Sequence, residues 1–215
     1  MKLLLTSGGL RNQTLINALL DLANKPAEQL KIAFIPTAQN VEPRDKSWLI
    51  DQLVRLKDLG PEQIDIVDIS AIDKKLWLSK LQESNVIFVN GGNTTYLMDC
   101  FNKFGFSEEI KELLTTRVYV GVSAGSYVAT PDIRFNSDYE KGVFKGLGLV
   151  DFGLQVHYKN PKFPLAANYE LVAKRVKGCP YRVYVLDDQM AIKVNGAKIE
   201  VVGDGESEVF EPETT

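Results

Sequence analysis

The sequence predicts an α/β fold: a mostly parallel sheet sandwiched by helices, ending in a C-terminal β-hairpin. Three observations carry that expectation. Short apolar runs alternate with segments of helical periodicity, the pattern of strands buried on both faces. Glycine clusters stand where the apolar runs end and the helical segments begin. Near the end of the chain, Asn195-Gly196 separates two further short runs, the turn chemistry of a two-residue hairpin.

The elements follow in order. Residues 2–6 form a first buried strand that ends at Ser7-Gly8-Gly9. Leu15, Leu19 and Leu22, with Ile16, Leu20 and Ala23 beside them, recur at helical spacing. Residues 31–35 form the second strand, which Pro36 stops. Leu49, Leu53 and Leu56 with Ile50 and Val54 define the next helix, and Gly60 suits the position just past its end. Residues 64–69 read as a third strand and 74–81 as a short helix. The fourth strand, 86–89, ends in Asn90-Gly91-Gly92-Asn93, and Thr94 reads as the cap of a helix carrying Tyr96, Leu97, Cys100 and Phe101. The fifth, 118–122, runs into Ser123. After it the character changes. Residues 131–142 are polar and turn-rich, 154–158 are a short extended run, and 181–186 are another strand. Residues 190–194 and 198–202 flank the hairpin turn, while 206–215 are acidic and expected to fray, with Val209-Phe210 able to dock.

A chain of 215 residues is expected to form one domain, residues 1–215, large enough for a sizeable core. Its 45% hydrophobic and 25% charged residues are those of an ordinary soluble protein. A net charge of −3 and the lack of a basic stripe argue against nucleic acid as a partner. No apolar run approaches the ~18–20 residues that span a membrane, so no membrane partner is expected. The apolar N-terminal stretch is too short for a signal peptide, which makes the cytoplasm the expected compartment. Cys100 and Cys179 stand far apart with no C-x-x-C spacing and read as small buried residues. A single histidine among scattered carboxylates is a poor ligand set, so neither a metal nor another cofactor is expected.

Ligands of open α/β sheets bind beyond the carboxyl ends of the strands, which brings Ser7-Gly8-Gly9, Gly91-Gly92-Asn93 and Ser123 toward one crevice. Within it, Gly121-Val122-Ser123-Ala124-Gly125 matches the G-x-S-x-G elbow that lifts a serine Oγ out of the backbone. Such a serine needs a base, and His157, the sole histidine, is the one imidazole able to serve. Asp132 and Asp138 lie between them, and either can hold the imidazole tautomer. Plainer readings stand beside these: a capping serine in a glycine-rich turn, a structural histidine, solvated loop carboxylates. Asp187 and Asp188 read as a polar turn before the hairpin, with a place near the crevice as the alternative. The order Ser, Asp, His is that of the α/β-hydrolases, but Ser123 and His157 are too close in this shorter chain for that fold.

Taken together, FVNGGNTT at 88–95, GVSAGS at 121–126, TPDIR at 130–134 with Asp138, and His157-Tyr158 resemble peptidase family S51. Its best-known members are the aspartyl dipeptidases (peptidase E), with cyanophycinase as a relative. The resemblance runs over roughly residues 2–210 and includes Leu186-Asp187-Asp188. It implies a class I glutamine-amidotransferase-like (flavodoxin-like) α/β sandwich and a serine peptidase that cleaves short peptides through an acyl-enzyme. By position, Ser123 is similar to the family nucleophile and His157 to its base, and Asp138 matches the acidic member better than Asp132. The backbone N–H groups of Gly92 and Ala124 correspond to the oxyanion hole, with Gly91 and Asn93 bordering the substrate. A short peptide is the implied partner, for a monomer or a homodimer.

The chain departs from that pattern in one informative place. The family preference for an N-terminal Asp rests on an arginine in the segment after the histidine. Here that segment, KNPKFPLAANYE at 159–170, has no arginine, and the next is Arg175. Lys159 and Lys162 offer point charges rather than a bidentate fork. Ser126-Tyr127 stands where the dipeptidases have a small residue and Asn. An Asp preference is therefore not carried over. A catalytically inactive module that binds a peptide or carboxylate at Gly91-Gly92-Asn93 is the alternative reading. A glutamine amidotransferase would need cysteine at position 123.

Overall fold

A computed structural model describes residues 1–135 and 145–212. Its first half runs β1 (Lys2–Thr6), α1 (Gln13–Ala23), β2 (Lys31–Ile35), α2 (Ser47–Asp58), β3 (Gln63–Ile66), α3 (Lys74–Glu83) and β4 (Val86–Val89). Next come α4 (Thr94–Lys103), α5 (Phe106–Leu113), β5 (Val118–Val122), α6 (Ala124–Tyr127) and β6 (Gly153–Gln155). The chain ends with α7 (Tyr169–Val176), β7 (Val183–Leu186), β8 (Met190–Asn195), β9 (Lys198–Gly203) and β10 (Ser207–Phe210).

Seven strands form the central sheet in the order β3-β2-β4-β5-β1-β8-β9. The first five are mutually parallel, and the β8–β9 hairpin adds two antiparallel strands at the β1 edge. Strand alternation splits the core into two layers. Leu3, Leu5, Ala33, Ile35, Ile87, Val89 and Tyr119 face α3 to α6. Leu4, Ile32, Phe34, Val86, Phe88, Val118 and Val120 face the apolar sides of α1 and α2. Both faces are therefore dry, as the near-continuous apolar runs require.

β10, β7 and β6 form a second sheet, with β6 and β7 parallel and β10 antiparallel to β7. Periodicity alone does not say which sheet a short run joins, and this second sheet is the main departure from the expected plan. Residues 207–210, expected to fray, pair with β7, and Phe210 packs against the core. Two short helices, α5 and α7, were not read from the sequence, although Phe106, Ile110 and Leu113 on one and Val172 and Val176 on the other are buried at helical spacing. Asn93, not Thr94, caps α4, because its side chain accepts the Tyr96 N–H. The third strand stops at Ile66, where Asp68 turns the chain by accepting from Ser70. Among the described residues no helix is long and apolar enough to cross a membrane, and no cluster of His, Cys, Asp or Glu could hold a metal.

Candidate active site

Ser123 follows β5, between the carboxyl ends of β4 and β1. Its backbone is at φ 50°, ψ −107°, a conformation that costs a non-glycine residue about 1–3 kcal/mol. Several bonds hold it there. The Ser123 N–H donates to the Thr6 carbonyl at 3.1 Å, and the Ser123 carbonyl accepts from Ser126 and Tyr127, each at 2.9 Å. The Ser126 hydroxyl donates to the same Thr6 carbonyl at 2.8 Å. The buried Tyr119 hydroxyl donates to the Gly125 carbonyl at 2.6 Å. A Cβ at Gly125 would lie 2.1 Å from the Val89 carbonyl, so the elbow can nest against β4 only with glycine at this position.

The second sheet delivers the partners. His157 lies two residues past β6 and Asp188 two past β7, and the register of those strands brings their ends together. His157 sits at φ 61°, where the Ser7 hydroxyl accepts its N–H at 2.8 Å. Its ring stacks on Phe163, with centroids 3.7 Å apart and planes 10° apart. His157 Nε2 is 2.8 Å from Ser123 Oγ, and Nδ1 is 2.6 Å from Asp188 Oδ1. Asp188 also accepts from the Ser7 hydroxyl at 3.0 Å and from Asn160 Nδ2 at 2.7 Å.

Burial alone would push the Asp188 carboxyl up. Hydrogen bonding and charge at His157, with the bonds from Asn160 and Ser7, instead hold it far below the ordinary carboxylate range. An ionised carboxylate only accepts, so Nδ1 carries the imidazole proton and Nε2 offers its lone pair to the serine hydroxyl. Ser123, His157 and Asp188 thus form a continuous hydrogen-bonded chain.

The remaining candidates fall as follows. Asp138 lies outside the described residues. Asp132 is bonded at 2.7 Å to Arg134 Nη2 and at 2.7 Å to the Tyr181 hydroxyl, and it does not reach His157. Asp187 is the turn residue that the sequence suggests, accepting from the Gln189 and Glu206 N–H groups. Asp188 departs from that expectation, because the turn aims Asp187 at the hairpin and Asp188 at the imidazole. Its sequence signal was only its place at a strand end, and Ser7, Asn160 and Phe163 had none beyond the crevice argument. Gly92, at φ 137°, lies so close to Ala38 that a Cβ would stand 2.3 Å from its carbonyl. Its N–H has no acceptor among the described residues, and neither does that of Ala124 at the start of α6. The Asn93 side chain is spent on capping α4. Lys159 pairs with Glu206 at 2.6 Å.

Two cavities flank the Ser123–His157 pair. The larger, of about 510 Å³, opens toward α2 and includes Ser7, Asn90 and Gly91. The smaller, of about 230 Å³, is bounded by Tyr127, Phe135, Gln155, Leu165 and Arg175. Gly92, Lys162 and Phe163 border both.

A sequence model of peptidase family S51 matches residues 3–202. The chain is 31% identical over 148 residues to an uncharacterized peptidase of Pasteurella multocida, covering 63% of this chain and 69% of that one. It is 27% identical over 179 residues to an uncharacterized peptidase of Listeria monocytogenes, covering 78% of this chain and 83% of its relative. The crystal structure of a peptidase from an acI-B1 Actinobacterium shares the fold, with a TM-score of 0.72 at 20% identity over 99% of this chain and 95% of that one.

Proposed function

The chain belongs to peptidase family S51, and on that premise we propose that it hydrolyses short peptides through a triad of Ser123, His157 and Asp188. One observation carries the reading: a strained serine whose Oγ meets a histidine nitrogen at 2.8 Å, with an ionised carboxylate 2.6 Å from the other nitrogen. His157 takes the Ser123 proton as Oγ attacks the scissile carbonyl. The N–H groups of Gly92 and Ala124 receive the developing oxyanion, each lowering the barrier by about 3–4 kcal/mol. His157 then returns the proton to the leaving amine, and water, activated by the same imidazole, releases the acyl group from Ser123.

The flanking cavities, about 510 and 230 Å³, suit a few residues of peptide on either side of the cleaved bond. Two buried, unpaired thiols suit a reducing compartment, and the cytoplasm is the location we propose. The test is Ser123→Ala together with a serine-directed phosphonate. The variant is expected to fold, to lose hydrolysis of a dipeptide panel and to escape labelling. Wild-type protein that binds peptides but is neither labelled nor active would instead support the non-catalytic binding module.

A further inference from the structure

We propose that the larger cavity recognises a carboxylate of the bound peptide through Arg11 and Arg55, an inference that rests on the peptidase reading and sharpens its substrate class. α2 lays Trp48, Asp51, Gln52 and Arg55 along one face at helical spacing, and that face lines the cavity. Across from it, Arg11 folds back over the turn after β1. Its Nε donates to the Gly8 carbonyl at 3.0 Å, and a Cβ at Gly8 would stand 2.5 Å from that nitrogen. This bond orients the guanidinium and leaves its two terminal nitrogens without an acceptor among the described residues. Arg55 is in no ion pair among them. The acidic groups of the lining are mostly engaged elsewhere: Glu42 by Arg44, Asp45 by Ser47 and Asp188 by His157. Asp51 is the remaining acid of the lining, and the terminal nitrogens of Arg11 and the Arg55 side chain are donors there with no acceptor among the described residues, an arrangement that a carboxylate satisfies.

A second observation points to a ligand in the same place. Asn90 is 1% exposed, and neither atom of its amide has a partner among the described residues. Gln52 is 4% exposed, and its Nε2 likewise has none. Buried amides are seldom left unpaired. Both line this cavity, and Asn90 precedes Gly91, where a Cβ would be 3.3 Å from the Ser123 Cβ. A peptide bond held at Ser123 presents both the donor and the acceptor that these amides lack, and a carboxylate accepts a planar two-nitrogen fork. That carboxylate has two sources: the free C-terminus of a short peptide or an acidic side chain.

The experiment uses the full chain and three probes: Ala-Ala, Ala-Ala amide and Ala-Asp amide. Their hydrolysis is followed in wild type, Arg11→Gln, Arg55→Gln and Arg11→Lys, and their binding is measured calorimetrically on Ser123→Ala, which reads recognition without turnover. Wild type is expected to favour a carboxylate-bearing probe over Ala-Ala amide by about ten- to a hundred-fold in kcat/KM, the size of a charge-assisted contact. Each glutamine variant should collapse that ratio through KM, and Arg11→Lys should restore part of it. A preference for Ala-Ala assigns the carboxylate to the C-terminus, and one for Ala-Asp amide assigns it to a side chain. Equal treatment of all three probes, in turnover or in binding, overturns the proposal, as does a preference that survives both glutamine variants. Absence of hydrolysis and of Ser123 labelling would be a failure of the peptidase reading instead, and the binding data would still decide this one.

Discussion

Asp188→Asn tests which acid serves His157. In the native site Asp188 Oδ1 faces His157 Nδ1 and the Ser7 hydroxyl, and Oδ2 faces Asn160 Nδ2. An asparagine has one oxygen for these two places. If its oxygen stays against His157, its NH₂ meets the Asn160 NH₂, donor against donor. Asn160 cannot simply flip, because its Oδ1 already accepts the Lys162 N–H at 3.0 Å. If the NH₂ turns to His157 instead, Nδ1 must become an acceptor, the proton moves to Nε2, and the base presented to Ser123 is lost. Both arrangements remove the correct tautomer or its support. The expected fall in kcat is about 10³- to 10⁴-fold, or ~4–5.5 kcal/mol of barrier. The assay is dipeptide hydrolysis together with the rate of phosphonate labelling, which reports activation of Ser123 independently of substrate preference. Asp132→Asn and Asp138→Asn run beside it and should keep turnover near wild type. A full-rate Asp188→Asn, or an inactive Asp138→Asn beside it, would refute the reasoning.

Two further outcomes follow from the same geometry. Burial opposes ionisation of Asp68, Asp132 and Asp188, yet hydrogen bonds from Asn40, Ser70 and Thr37 to the first, Arg134 and Tyr181 to the second, and His157, Asn160 and Ser7 to the third hold all of them below the ordinary value of 3.8. Their contribution to stability is therefore complete above that value and is lost as pH falls through the lowered ones, so urea midpoints should drop steeply below about pH 4. A flat profile from pH 5 to pH 3 would contradict this. Tyr119→Phe removes the hydroxyl donor to the Gly125 carbonyl, which the short α6 does not otherwise satisfy. The cost should be about 1–3 kcal/mol of stability, with slower phosphonate labelling as the elbow loosens, and an unshifted thermal midpoint would count against it.

Most of the central sheet was legible in the sequence because its strands are buried on both faces and punctuated by glycine. Leu3 to Thr6, Ile32 to Ile35 and Val86 to Val89 bury every residue, so apolar runs and strand limits nearly coincide. The elbow and its histidine were legible for a different reason: the chemistry needs particular residue types, and the chain has a single imidazole. What escaped was whatever depends on how non-adjacent segments pair. β6 has three residues, and β10 has two exposed residues between half-buried ends rather than an alternation, so neither has a strong pattern. Asp188 escaped with them, since its role exists only once β7 lies beside β6. Arg175 shows the same limit. It is the first arginine past the segment that follows His157, and the path of the chain brings it to the smaller cavity, where Nη2 donates to the Phe135 carbonyl at 3.1 Å.

The placement of the triad on two sheets raises the question of what keeps those sheets in register with each other, since an error near 1 Å at the reacting atoms would cost about a hundred-fold in rate. Ser7 supplies the joint. It follows β1 in the central sheet, and its N–H donates to the Met190 carbonyl at 3.2 Å. Its hydroxyl accepts the His157 N–H and donates to Asp188 Oδ1, so one oxygen fixes both residues of the second sheet. Thr6, the residue before it, accepts the Ser123 N–H on its carbonyl. Two consecutive residues at the end of β1 therefore bond to all three members of the triad. Tyr158 closes the frame by donating to the Leu186 carbonyl at 3.0 Å, which locks the segment carrying His157 to the one carrying Asp188. The left-handed backbone of His157 follows from this frame: its N–H must reach back to Ser7 while its ring reaches forward to Ser123, and an extended residue at that point would aim the two in other directions.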